Sequence, residues 1–203
     1  MKVGQITRLD DEDEDKSKEI QNAPAVIEKA LFDARVVMLT GEVNDQQARR
    51  VTERLFALAA HNAQPITFVI SSPGGHVESG DMIHDVIKFI NAPVRMLGTG
   101  WVASAGALIY CAAERQNRFC LPKTRFLLHE PRGGIGGMAS DVEIQAREIL
   151  RMRERLNQIF STATGQPIDK IKRDVDRDYW MLADEAKAYG LVGKIVRSQT
   201  EIG

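Results

Sequence analysis

The sequence predicts an α/β fold built on a largely parallel sheet. Short apolar, β-branched runs read as strands at Arg35–Thr40, Ile66–Ile70, Val94–Leu97 and Arg125–His129. Between them lie segments whose apolar residues recur at helical spacing. Strands alternating with helices are the pattern of parallel crossover units. No internal repeat of fixed period interrupts this order.

Each element has its own warrant. Residues 25–32 read as a short helix ahead of the first strand. Asn44, with Gln47 three residues on, has the form of an N-cap. The helix behind it places Val51, Leu55, Leu58 and Ala59 on one face. Ile66–Ile70 reads as a buried strand that stops at the turn Ser72-Pro73-Gly74-Gly75. Met82, Ile83, Val86, Ile87 and Ile90 give the next helix its apolar face. Residues 103–113 form a small-residue helix, entered from Gly98-Thr99-Gly100. A long polar helix over 140–162 carries the stripe Ile149, Met152, Leu156 and Ile159. Shorter helices follow at 169–175 and 183–189, and Leu191–Val196 reads as a closing strand.

Composition bounds the function. A chain of 203 residues suits one domain with a substantial core. With 43% apolar and 27% charged residues it reads as globular. A net charge of −1 gives no electrostatic footprint for nucleic acid. No apolar run reaches the roughly 18 residues of a membrane helix. The first residues lack the apolar core of a secretory signal, so a cytoplasmic location is expected. Residues 1–22 differ from the rest through the unbroken acidic run Asp10–Asp15. Such a block reads as a solvated, flexible N-terminal segment, or as a gate or docking arm. The globular domain then occupies 23–203. Cys111 and Cys120 sit in apolar strings without metal-ligand spacing and read as reduced core thiols.

Three residues supply the parts of acyl-transfer chemistry: Ser104 as nucleophile, His129 as base and Asp178 as the orienting acid. Ser104 lies in Val102-Ala103-Ser104-Ala105-Gly106, whose small residues permit a sharp strand-to-helix turn. A plain N-cap serine is the competing reading. Position 102 is Val, so this is not the G-x-S-x-G elbow. His129 ends a strand before Glu130-Pro131, and a satisfied edge histidine is its alternative. His61, His76 and His84 compete for the role, and no metal site is expected from them. Asp174, Asp176 and Asp178 compete for the acid. Asp178 abuts Tyr179 and Trp180, which can shield it from water. Gly75, after a strand and before a helix, can turn its N–H into a cleft as an oxyanion donor.

In order along the chain come Ser71-Ser72-Pro73-Gly74-Gly75, Ala103-Ser104-Ala105-Gly106-Ala107, Arg118-Phe119-Cys120-Leu121-Pro122 and His129-Glu130-Pro131. Glu143-Ile144-Gln145-Ala146-Arg147-Glu148-Ile149, Thr164-Gly165-Gln166-Pro167, Asp176-Arg177-Asp178 and residues 185–192 follow. This series closely resembles the proteolytic subunit of the Clp ATP-dependent protease, over roughly residues 35–197. The resemblance implies a ClpP/crotonase-type fold of repeated ββα units with a projecting strand-helix handle at about 133–162. It puts the catalytic roles on Ser104, His129 and Asp178, and the oxyanion amides on Gly75 and Ala105. It further implies stacked heptameric rings, a tetradecamer enclosing the sites, in which polypeptides are hydrolysed through an acyl-enzyme. The chain would hold no cofactor. ATP would be used by a partner unfoldase of the AAA+ type, and neither nucleic acid nor membrane would be a partner.

Several positions depart from the family pattern. Ala105 stands where Met is usual, Glu130 where Gln is usual, and His76 where a small or apolar residue is usual. Thr67 and Val69 replace tyrosines of the ATPase docking pocket, and the acidic N-terminus replaces the family's axial loop. The main expectation is therefore an active endopeptidase. Its alternatives are a non-catalytic ring subunit serving an active paralogue, and an acyl-CoA enzyme of the crotonase type.

Overall fold

The computed structural model describes residues 25–131 and 136–202. Two compact units divide the chain at residues 36 and 37. In the first, the described part is chiefly helix α1, residues 25–33. The second unit carries the sheet and the remaining helices. The expected acidic segment over 1–22 lies outside the described residues.

Among the described residues the sheet has seven strands. Strand β1 (Val36–Thr40) neighbours β2 (Ile66–Ser72), and β2 runs parallel to β3 (Val94–Ala103). β3 runs for 10 residues, well past the expected end at Leu97, because Gly98 and Gly100 do not end it. Its first half pairs with β4 (Arg118–Cys120) and its second half with β5 (Arg125–Leu128), both in parallel. β4 is continued by β7 (Lys194–Ile195), also parallel, and β5 by β6 (Tyr179–Leu182), which runs antiparallel. The alternation of strand and helix therefore gives the expected parallel-dominated sheet.

Helices α2 (Asp45–His61), α3 (Val77–Phe89) and α4 (Ala105–Tyr110) pack in succession, α2 on α3 and α3 on α4. Asn44 caps α2, its Oδ1 accepting from the N–H of Gln47 at 2.9 Å. The Gln47 side chain does not close a capping box; it donates to the Thr40 carbonyl at 2.7 Å. Val51, Leu55 and Leu58 are buried, as the spacing predicts, together with Ala48 and Thr52, while Ala59 is half-buried.

The core is one cluster. Ile66, Phe68 and Ile70 of β2 are fully buried, and Thr67 and Val69 between them are half-buried. An apolar run that reads as doubly covered is thus covered fully on one face by its own chain. Each large side chain sealed in that layer contributes roughly 1.5–3 kcal/mol. Tyr110 packs on Phe126, ring centroids 5.3 Å apart, and donates to the Phe119 carbonyl at 2.9 Å.

The long helix α5 (Ala139–Thr164) buries Leu156, Asn157, Phe160 and Thr164, all in its C-terminal third. Ahead of that third, Ile144 and Leu150 are exposed. Gly165 ends it in the left-handed conformation, φ 75°. Helices α6 (Ile168–Asp174) and α7 (Ala183–Tyr189) complete the fold, α7 at the expected bounds. The closing strand expected over 191–196 shrinks to β7, while Leu191, Val192 and Val196 are buried without pairing as strand. Of the glycine stretch at the start of the expected handle, residues 133–135 lie outside the described residues.

Candidate active site

Ser104 stands at the junction of β3 and α4 with φ 55° and ψ −122°. For a residue with a side chain this conformation costs roughly 1–3 kcal/mol, and it persists only where the surroundings impose it. Two restraints impose it here. The Ser104 N–H donates to the Leu127 carbonyl at 2.9 Å, extending the β3–β5 ladder by one step. The Ser104 carbonyl accepts from Ala107 and Leu108, opening α4. Its hydroxyl makes no capping bond, so the competing reading as a plain N-cap serine is not what the structure displays. The side chain is half-buried.

The glycine turn lies against this serine. A Cβ on Gly74 would sit 2.5 Å from the Ser104 Cβ, so only glycine allows the approach. Gly75 adopts φ 144°, and a Cβ there would sit 2.2 Å from the Val43 carbonyl oxygen. Val43 donates to Gly74 O and accepts from the His76 N–H, both at 2.8 Å. Because hydrogen-bonding groups alternate along an extended chain, Gly75 turns its own N–H away from Val43. Gly75 is exposed. Ala105, as the first residue of α4, has an N–H with no acceptor a turn earlier in the helix. Its Cβ would be 3.3 Å from one built on Gly80, so the small side chain is pressed against α3.

His129 follows β5 directly. A small cavity is lined by Ser104, Ala105 and His129 together with Val77, Leu108 and Phe160. Those apolar residues come from three helices, and sequence reading singled out none of them as site residues. The His129 Nδ1 lies 2.7 Å from the Glu130 carbonyl. A carbonyl only accepts, so Nδ1 carries hydrogen there, which leaves Nε2 of a neutral ring as the acceptor. Glu130 directs its carboxylate to Arg153, at 3.3 Å, rather than to the imidazole.

Leu128 pairs with Tyr179 in the β5–β6 ladder. Continued by one residue, that antiparallel register sets Asp178 opposite His129. Asp178 is exposed, however, and the expected aromatic shield is not present. Tyr179 packs on Tyr189, and the Arg125 guanidinium lies over the Trp180 ring, 4.4 Å from its centroid, because successive strand residues face opposite ways. Of the competing carboxylates, Asp174 is held by Lys170 at 2.5 Å and by the Tyr189 hydroxyl at 2.7 Å. Burial raises its pKa, but these two bonds outweigh that and leave it below the ordinary carboxylate value. Asp176 is exposed beside Arg177.

The other histidines are engaged elsewhere. His76 contacts Asp45 at 3.1 Å, Ser79 at 2.8 Å and Glu78 at 3.0 Å. His84 contacts Asp85 at 3.2 Å. Cys111 and Cys120 are buried and free, with burial pushing their thiols up to about 11 and about 12 respectively. Among the described residues no helix is long and apolar enough to cross a membrane.

A parallel-dominated α/β sheet that sets a strained serine beside a histidine agrees with the ClpP/crotonase-type class that the sequence resemblance implies. Comparison with known proteins narrows it. The Clp protease family profile matches residues 19–199. The chain is 58% identical over 193 residues to the ATP-dependent Clp protease proteolytic subunit 3 of Rhizobium etli, covering 95% of this chain and 99% of that one. It is 54% identical over 206 residues to proteolytic subunit 2 of Gluconobacter oxydans, covering 97% and 92%. The solved structure of ClpP1 from Listeria monocytogenes matches with a TM-score of 0.80 at 46% identity, covering 87% of this chain and 99% of that one. The chain belongs to the Clp protease family.

Proposed function

We propose that the protein is a serine endopeptidase that hydrolyses unfolded polypeptides through an acyl-enzyme. The strained Ser104, its hydroxyl unspent on capping and sharing a cavity with His129, is the observation that carries this reading. His129 Nε2 takes the Ser104 proton as the oxygen attacks the scissile carbonyl. The N–H groups of Gly75 and Ala105 receive the developing oxyanion, each donor worth roughly 3–4 kcal/mol. His129 then returns the proton to the leaving amine, and water repeats the sequence on the acyl-enzyme. Asp178 fixes the imidazole once the strand register extends to it. In the described conformation the Glu130 carbonyl occupies Nδ1, so the reading includes a local rearrangement that hands Nδ1 from Glu130 to Asp178. No cofactor takes part.

The same reading assigns the chain to stacked heptameric rings in the cytoplasm, fed by an AAA+ unfoldase that spends the ATP. Exposed Ile144 and Leu150 on α5 support assembly, since a lone helix with such residues gains by covering them. Two relatives bear the numbers 2 and 3 in their names, which favours a second reading: a ring shared with another Clp subunit. Ser104→Ala tests the first. Purified rings of that variant should keep their assembled mass and lose peptide hydrolysis by at least about 10⁴-fold. Unchanged hydrolysis would place the chemistry elsewhere. Assembled wild-type rings of this chain alone that show no hydrolysis, but gain it with another Clp subunit, would select the second reading.

A further inference from the structure

A larger cavity, about 430 Å³, lies apart from the serine site. It is walled by the C-terminal half of α3, the end of α4 and the last turns of α5. Arg118, the first residue of β4, forms part of its wall and is 1% exposed. One guanidinium nitrogen, Nη2, donates to the Ala163 carbonyl. Nε and Nη1 are buried and have no hydrogen-bond partner among the described residues. No carboxylate lies within ion-pair distance of Arg118 among those residues. The Cys111 thiol beside it does not supply the missing charge, because burial holds that thiol protonated at neutral pH. A water molecule can satisfy an N–H, but it leaves the charge of a buried cation uncompensated.

The rest of the wall has the same sign. Lys88 and Arg115 line the cavity, and Glu114 is the one carboxylate that does so among the described residues. Both cations are exposed, so they reach solvent at the mouth while Arg118 stays beneath. Thr162 and Gln158 add hydrogen-bonding groups, and Ile159 and Ala113 add apolar surface. A volume of this size takes a compact organic molecule rather than a bare ion. We propose that this cavity binds a small organic anion, its carboxylate or phosphate group contacting Lys88 and Arg115 in the field of the buried Arg118 guanidinium. This assignment stands on its own residues and does not depend on the peptidase reading.

Calorimetric titration of the full-length Ser104→Ala protein tests it without hydrolysis of the probe. Inorganic phosphate represents one source. An N-acetylated dipeptide with an apolar side chain and a free carboxylate, with its amide as control, represents the other. One saturable site per chain is expected for at least one probe. Binding of phosphate alone would mark a phosphate-bearing ligand, and binding of the acid but not the amide a carboxylate ligand. Lys88→Gln with Arg115→Gln, both exposed side chains, should weaken that binding at least about tenfold. Arg118→Met should abolish it, with thermal melting confirming the fold. No saturable binding of either probe at millimolar concentrations, or binding equal in the double variant, overturns the proposal.

Discussion

The two halves of β3 pair with different strands and lie beside opposite circumstances. The first half pairs with β4 and leads to Arg118, a cation sealed beneath helices. The second half pairs with β5 and leads to Ser104, a strained residue left half-open. One end stores an electrostatic cost and the other a conformational cost. Neither is what packing alone would select, and each lies beside a cavity. Continuous strand and small-residue helix hold both ends in place, so the sheet serves as the rigid frame on which the two sites depend.

The largest effect that would break this comparison is loss of the frame itself. Phe126 is fully buried under the second half of β3 and packs on Tyr110. Phe126→Ala should lower stability by about 3–5 kcal/mol. Chemical unfolding at fixed protein concentration reads it; a loss below about 1 kcal/mol would show that the Ser104 end does not lean on this packing.

Gly75→Ala strikes the site end more narrowly. Its Cβ would collide with the Val43 carbonyl and turn the Gly75 N–H from the cleft. Hydrolysis should fall about 10²–10³-fold in kcat, with the ring mass unchanged. Undiminished kcat would remove Gly75 from the oxyanion hole.

A smaller effect separates strain from chemistry. Ser104→Gly releases the positive φ and should raise stability by about 1 kcal/mol while ending activity. A variant less stable than wild type would mean that the serine conformation is not the strained element.

The smallest effect concerns pH. The folded-state pKa of Asp174 lies below its unfolded value, so its contribution is fully present above about 4. It is lost as pH falls through the folded value. Asp174→Asn should therefore be less stable than wild type at neutral pH, with the gap closing in acid. A gap independent of pH would assign Asp174 a packing role alone.

Much of this was legible in the chain. The strand–helix alternation, the Asn44 cap and the order of strings around Gly75, Ser104 and His129 are local features, and local features read directly. The length of β3 was not legible. Gly98 and Gly100 look like breaks, and only the pairing of Gly98 with Ile70 and Cys120 carries the strand past them. β4 and β6 are three and four residues long and have no pattern of their own. The exposure of Asp178 could not be read either, because it depends on which way Tyr179 and Trp180 turn. Arg118 looked like one letter of a motif. Its burial arises from α5, whose Ala163 is 45 residues away along the chain.

Fluorophosphonate labelling of the purified protein, read by intact mass and peptide mapping beside Ser104→Ala, tests the central claim most directly. One adduct per chain is expected, mapped to Ser104 and absent from the variant. Correctly assembled wild-type protein that takes no label, or takes it equally when Ser104 is gone, would contradict it.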